Sequence, residues 1–291
     1  MNLEKEIKKA CEPYIGIPVA LSGGIDSSLL AALLKPKFVI SVELPEGKHN
    51  EIEYAKMVAN HLEIEHVIVN LDDSKFDESV EIAVKAIGRP IPHFNIFPLF
   101  EMYKKLNEMG VKEVVLGDGP DETMCGYARD LIINYLYKVY DFEAFKNYKP
   151  LIDKILPIKY LAVESAIGKT IINGCDDITL ADIRYMRPDM DDMSNGIANY
   201  FGIKNLRPYQ DNKFLDDFML NLPMEDKINN VEYGKYALRK IAAKYLPQEI
   251  AWRKEKVGGP VYPVNKFKGW DKIDGEFSKN KWTEHQKNIL Q

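Results

Sequence analysis

The chain has 291 residues, 46% of them hydrophobic and 29% charged, with 39 basic against 44 acidic side chains and a formal net charge of −5 at pH 7. That supports one large folded domain or two small ones, and the modest negative charge argues against a broad nucleic-acid-binding surface. The longest apolar runs, such as Ile17 to Leu21 or Phe38 to Val42, are too short to cross a bilayer, and the charged opening Met1-Asn2-Leu3-Glu4-Lys5 does not suit a signal peptide, so a cytoplasmic protein without a membrane partner is expected.

In chain order, Ile17 to Leu21 reads as a strand and Ile25 to Leu34 as a helix. Phe38 to Leu44 predicts a strand, Asn50 to Leu62 a helix, His66 to Leu71 a strand, Pro98 to Met109 a helix and Val111 to Leu116 a strand. Such alternation predicts an α/β fold with a parallel, doubly wound sheet. Beyond Tyr127 the β-type runs stop, and Ala128 to Tyr140, Asp211 to Leu222 and Glu232 to Tyr245 read as helices separated by turns near Pro188, Pro208, Pro223 and Pro247. The expected division is an α/β region over 1–128 and a mainly helical region over 129–291, with a loosely ordered tail from about residue 258. Cys11, Cys125 and Cys175 show no CxxC spacing, so neither a disulfide framework nor a zinc ribbon is supported. His61, His66 and His93 likewise lack metal-ligand spacing.

The most informative stretch is Leu21-Ser22-Gly23-Gly24-Ile25-Asp26-Ser27-Ser28, between the first strand and the first long helix of that pattern. Two glycines let backbone N–H groups approach an anion, three serines add hydroxyl donors, and the helix N-terminus adds partial positive charge. These features suit phosphate. The nucleotide-triphosphatase loop is excluded because no Lys occurs in residues 21–34. A carboxylate beside bound phosphates would repel them, so Asp26 is read as a Mg²⁺ ligand whose cation bridges to phosphate oxygens. A second loop, Leu116-Gly117-Asp118-Gly119-Pro120-Asp121-Glu122, follows the Val111 to Leu116 strand, and its Asp121 would complete a two-carboxylate Mg²⁺ site. A solvated acidic turn is the plain alternative for this loop.

The S-G-G-x-D-S-S pattern resembles the PP-loop of the ATP pyrophosphatase superfamily, and Val115 to Glu122 with Gly126-Tyr127 resembles the (S/T)-G-x-G-x-D-E…G-G-Y motif of the synthetase domain of asparagine synthetases and their β-lactam synthetase relatives. Pro45, Glu53, Ala55 and Ala59-Asn60-His61-Leu62, Arg207-Pro208-Tyr209-Gln210-Asp211, and Leu246-Pro247 with Ala251-Trp252-Arg253-Lys254 extend the likeness from about residue 15 to 260. The resemblance implies a five-stranded parallel sheet of the adenine nucleotide α-hydrolase-like type. It further implies that Ser22, Gly23, Gly24, Ser27 and Ser28 cradle the β- and γ-phosphates of ATP, that Asp26 and Asp121 hold Mg²⁺, and that Val42 and Gly117 contact adenine and ribose. The reaction implied is adenylation of a small-molecule carboxylate, releasing pyrophosphate, followed by displacement of AMP by ammonia or an amine. A catalytic lysine is implied in the Arg253-Lys254-Glu255-Lys256 loop, at Lys254 or Lys256, where a plain solvated charge run is the alternative.

Departures from the family pattern bear on the substrate. Asp118 stands where asparagine-forming members have Glu and β-lactam-forming members Tyr, beside the reacting groups, and Leu116 replaces Ser or Thr. His93-Phe94-Asn95-Ile96-Phe97-Pro98 lacks the Arg of the asparagine-forming members, with Arg89 upstream as a substitute. The chain reaches the PP-loop strand by residue 17, so no glutaminase is expected ahead of it, and the nitrogen would come from ammonia, an amine or a separate glutaminase subunit. Cys125 takes the place of the first Gly in G-G-Y. That leaves two other readings: a sulfur transferase using Cys125, and a nonenzymatic nucleotide-binding subunit, for which Asp118 and Leu116 leave room. A homo-oligomer is compatible with the sequence.

Overall fold

The computed structural model of the protein describes residues 2–44, 51–127, 130–131, 134, 175–229, 232–254 and 275–291. The chain divides into two units, one of Cys11–Gly117, Asp189–Leu206 and Glu255–Gln291, the other of Met1–Ala10, Asp118–Pro188 and Arg207–Lys254. Both are discontinuous in sequence.

The first unit is built on β1 (Val19–Ala20), β2 (Phe38–Glu43), β3 (Glu65–Asn70), β4 (Glu113–Val115) and β5 (Lys204–Leu206), all parallel, in the order β3-β2-β1-β4-β5. The α/β fold with a five-stranded parallel sheet is therefore as expected. The fifth strand, however, comes from the region read as helical: Lys204-Asn205-Leu206 is too short and too polar to announce itself, and only pairing with β4 makes it a strand. Numbered after the N-terminal α1 (Leu3–Cys11), the helices here are α2 (Ile25–Leu34), α3 (Ile52–His61), α4 (Phe76–Ile87) and α5 (Ile96–Glu108). Helix α3 ends earlier than expected because Glu63 turns left-handed at φ 54°. Helix α4 was not anticipated, although Val80, Ala83 and Val84 recur at helical spacing, are fully buried, and stop at a left-handed Gly88. One apolar cluster joins these layers, including Ile40 of β2, Val84 of α4, Phe97 of α5, Val114 of β4 and Trp282. The tail expected to be loosely ordered ends in a helix, Gly275–Leu290, which places Trp282 in that core.

The second unit has no comparable sheet among its described residues. Its β6 (Ile228–Asn229) and β7 (Tyr233–Gly234) pair antiparallel, among helices Lys213–Leu220, Tyr236–Ala242 and Gln248–Ala251. Asn212 caps the first of these by accepting from the Leu215 N–H at 3.1 Å. The helix expected over Glu232 to Tyr245 is instead a strand, a left-handed Lys235 at φ 54°, and a shorter helix, because the Lys235 N–H is taken by the Met124 carbonyl at 3.0 Å. The helix expected over Ala128 to Tyr140 lies outside the described residues apart from Asp130, Leu131 and Asn134, which are helical. No described helix is long and apolar enough to cross a membrane.

Candidate active site

In the sheet order β3-β2-β1-β4-β5, the connections leave β1 and β4 in opposite directions, so the loops after these two strands flank the switch point where ligands bind in open α/β sheets. The first is the glycine- and serine-rich loop singled out by its sequence, and the second opens with Gly117.

The loop after β1 is fixed from below by Ser41 of β2, whose hydroxyl donates to the Leu21 carbonyl at 2.5 Å and is itself 2.8 Å from His66 Nε2 of β3. Gly23 turns at φ 76°, and a Cβ there would meet the backbone nitrogen of Ala55 at 2.7 Å. Only glycine meets both demands. Gly24 is the N-cap of α2 and gives no side-chain cap, which leaves the helix entrance to backbone N–H groups. The Ser22 and Gly24 N–H groups donate to Ser27 Oγ and Ser22 Oγ respectively, each at 3.2 Å, and the two hydroxyls lie 3.2 Å apart. Asp26 and Ser28 are buried in the first turn of α2, and Ser28 Oγ has no hydrogen-bond partner among the described residues. Gly117, after β4, lies against this turn: a Cβ there would come within 2.8 Å of the Ser27 nitrogen. Val42 is half-buried near the C-terminal end of β2, paired with Val69.

In the second unit, Asp118 and Asp121 of the acidic loop each pair with a cation. Arg207 Nε donates to Asp118 Oδ2 at 3.1 Å, and the Arg207 N–H is anchored on Asp211 at 2.8 Å. Lys235 Nζ lies 2.6 Å from Asp121 Oδ1 and is almost completely buried. Arg187 forks onto Asp216 at 2.8 and 3.0 Å and reaches the Gly119 carbonyl at 3.5 Å, where Gly119 turns at φ 115°. Glu122 is pushed up to about 7 by burial and by the Asp121 charge, and accepts a hydrogen bond from the Tyr127 hydroxyl. Gly126 closes the loop because a Cβ there would collide with Asp121 and Lys235. Cys125 is fully buried at φ 55°, a conformation that favours glycine, and its carbonyl packs against Gly234. A thiol so enclosed is not presented to a substrate.

Ser22, Gly23, Gly24, Asp26, Ser27, Ser28 and Gly117 are thus gathered in the sheet unit, and Asp118 and Asp121 in the other. Lys254 is largely exposed, 3.3 Å from Glu232 and with its ammonium 5.7 Å from the Tyr233 ring centroid, while Lys256 lies outside the described residues. Lys235, Arg187 and the pairing of Arg207 with Asp118 were not foreseen. The usable signal was the acidic loop itself: three carboxylates in one partly buried turn require cations nearby.

The chain matches the asparagine synthase family over residues 14–276. It is 26% identical over 279 residues to asparagine synthetase B (glutamine-hydrolyzing) of Escherichia coli, covering 87% of this chain and 43% of that protein. It is 24% identical over 291 residues to a putative glutamine-hydrolyzing asparagine synthetase of Methanocaldococcus jannaschii, covering 93% of this chain and 51% of that protein. A shorter stretch of 82 residues, 27% of this chain and 32% of the relative, is 35% identical to the NH(3)-dependent NAD(+) synthetase of Carboxydothermus hydrogenoformans. The chain spans about half the length of the asparagine synthetases it matches.

Proposed function

The chain belongs to the asparagine synthase family, and from that premise we propose that it is an ATP-dependent carbon–nitrogen ligase that adenylates a substrate carboxylate, releasing pyrophosphate, and passes the acyl group to ammonia or an amine with loss of AMP. The observation that carries this reading is the loop after β1, where glycines at φ 76° and at an uncapped helix N-terminus, three serines and a buried carboxylate sit at the switch point of the sheet.

This loop fits a polyphosphate. The first turn of α2 offers N–H groups and the buried Ser28 hydroxyl without a competing side-chain cap. Ser22, Gly23, Gly24, Ser27 and Ser28 would bind the β- and γ-phosphates, with Val42 and Gly117 on the adenosine side. Asp26 and Asp121 would hold Mg²⁺. Both are carboxylates, the hard oxygen donors that Mg²⁺ takes alongside phosphate and water. Bound there, Mg²⁺ would neutralise charge on the leaving pyrophosphate.

Adenylation is needed because a free carboxylate oxygen is too poor a leaving group for amide formation. The protein's own part is to orient and to balance charge. A lysine of the 254–256 segment would stabilise negative charge developing on the α-phosphate and then on the tetrahedral carbon. Asp118, oriented by Arg207, would position the acceptor nitrogen or the reacting carboxylate. With one methylene less than Glu, it favours a substrate of different reach from that of the asparagine-forming members. A separate glutaminase subunit is a further proposal for the nitrogen source.

The test is release of pyrophosphate and AMP from MgATP, with and without L-aspartate, and with ammonium or glutamine. Release that requires both a carboxylic acid and a nitrogen donor supports the ligase. ATP binding with no pyrophosphate release across a panel of carboxylic acids and amines, with and without a glutaminase, would sink it in favour of a nucleotide-binding subunit.

A further inference from the structure

Helices α4 and α5 run side by side in the same direction. Phe76, the first residue of α4, packs edge-on against Phe97 in the first turn of α5, with centroids 5.2 Å apart. One turn further along both, the Ser79 hydroxyl donates to Glu101 at 2.6 Å. Two consecutive parallel helices need a return segment, and residues 88–95 supply it. Because α4 leaves the C-terminal end of β3 after one short turn (Asp73–Lys75), the return segment delivers residues 91–95 to that same edge of the sheet, where substrates bind in this architecture.

Among the described residues the return segment joins no strand, yet Ile91 is fully buried, so its backbone groups must find partners elsewhere. The C-terminal helix Gly275–Leu290 provides them. The buried Gln286 accepts from the Ile91 N–H at 2.9 Å and donates to the Ile91 carbonyl at 2.8 Å, imitating one rung of a β ladder. One turn earlier, the Trp282 indole donates to the His93 carbonyl at 2.9 Å, and its ring lies 6.0 Å from that of Phe94. At the other end of the segment Arg89 forks onto Asp192 at 2.9 and 2.7 Å and reaches Asp189 at 2.7 Å. A segment held this way at both ends, in a region with no regular hydrogen bonding of its own, is one whose position matters.

We infer that Gln286 and Trp282 are positioning residues for the second substrate: the C-terminal helix straps residues 91–95 at the rim of the sheet, so that His93, Phe94 and Asn95 form a wall of the pocket that receives the carboxylic acid or amine. This rests on the ligase reading above for its substrate side only. The strap is separate from the phosphate loop, and its loss is expected to act on one substrate and not on the other.

The test uses the full chain with Gln286→Met, which keeps the shape and removes both hydrogen bonds, and Trp282→Phe, which keeps the ring and removes one. Gln286→Met is expected to raise amide exchange over residues 91–95 by about tenfold or more, with Ser22 to Ser28 and MgATP affinity changed by less than about twofold. In pyrophosphate release with L-aspartate and ammonium chloride, KM for the acid should rise while kcat stays close to wild type. Trp282→Phe should shift the same quantities by about threefold and serves alone if the Gln286 variant fails to fold. Unchanged exchange over 91–95 overturns the strap. Faster exchange with an equal loss of MgATP affinity overturns the assignment to the second substrate and leaves a general structural role. Absence of turnover with aspartate in the wild-type protein counts against aspartate as the acid, while exchange and MgATP affinity still decide the strap.

Discussion

The two units solve the problem of holding a site in different ways. In the sheet unit the buried polar side chains among the described residues are serine hydroxyls, the Gln286 carboxamide and the Asp26 carboxylate, and what they position is mostly backbone. In the other unit the buried side chains include Arg187, Arg207 and Lys235, each paired with a carboxylate, so that what they position is charge. The first arrangement draws its rigidity from a parallel sheet and an apolar cluster, and its loop from glycines that no other residue can replace. The second draws its rigidity from ion pairs, each stable only while both partners are present. Under the proposed function, the first would present N–H groups to phosphate in fixed directions, and the second would keep its carboxylates in place with cations.

The contrast can be broken most severely at Lys235. Replacing it with Met leaves Asp121 without its cation, and we expect a stability loss of roughly 3 kcal/mol, read as a lower urea midpoint at unchanged slope. Asp26→Asn should leave folding nearly intact while cutting pyrophosphate release by about a hundredfold or more; near-normal turnover would remove Asp26 from the metal assignment. Gly23→Ala asks for a left-handed alanine against the Ala55 backbone, which stores roughly 1–3 kcal/mol of strain and should weaken MgATP binding by about tenfold, measurable by calorimetric titration. Asp118→Ala should spare MgATP binding and slow acyl transfer by about tenfold, and an unchanged rate would place Asp118 outside the reaction.

The smallest effect concerns pH. Hydrogen bonds from Lys244, Tyr245 and Lys8 hold Glu4 down at about 2, well below the usual carboxylate range. A depressed carboxyl contributes stability above its unfolded pKa and loses it as pH falls toward the folded value. The stability gap between wild type and Glu4→Gln, roughly 1 kcal/mol at pH 7, should therefore close between about pH 5 and pH 2. A gap that persists at pH 2 would show that the carboxylate charge is not its source.

Four of the five strands were legible because Val-, Ile- and Leu-rich runs separated by helical periodicity are what a parallel sheet buried on both faces requires. The loop after β1 was legible as a glycine turn into a helix because glycine, serine and a helix start are all local signals. What could not be read is long-range. Lys204-Asn205-Leu206 becomes β5 only beside Glu113 to Val115. The cations of the acidic loop come from Arg187, Arg207 and Lys235, far along the chain, and no spacing rule links them to Asp118 or Asp121. The polar, lysine-rich tail suggested a loose end because only its helix turns inward at Trp282 and Gln286, two residues that no apolar stripe announces. Helix α4 was a different kind of miss: its 3.6-residue period and its terminal Gly88 were both present in the sequence.

The lateness of β5 bears on how the protein is made. During synthesis β1 to β4 emerge first, yet the β4 edge stays uncovered until residues 116–203 have followed, and Ile91 waits longer still for Gln286. The loop that must close is long, although its entropic cost grows only slowly with length. A nascent chain halted before Lys204 therefore exposes an unpaired strand edge, the type of surface on which chaperones act and from which aggregates grow.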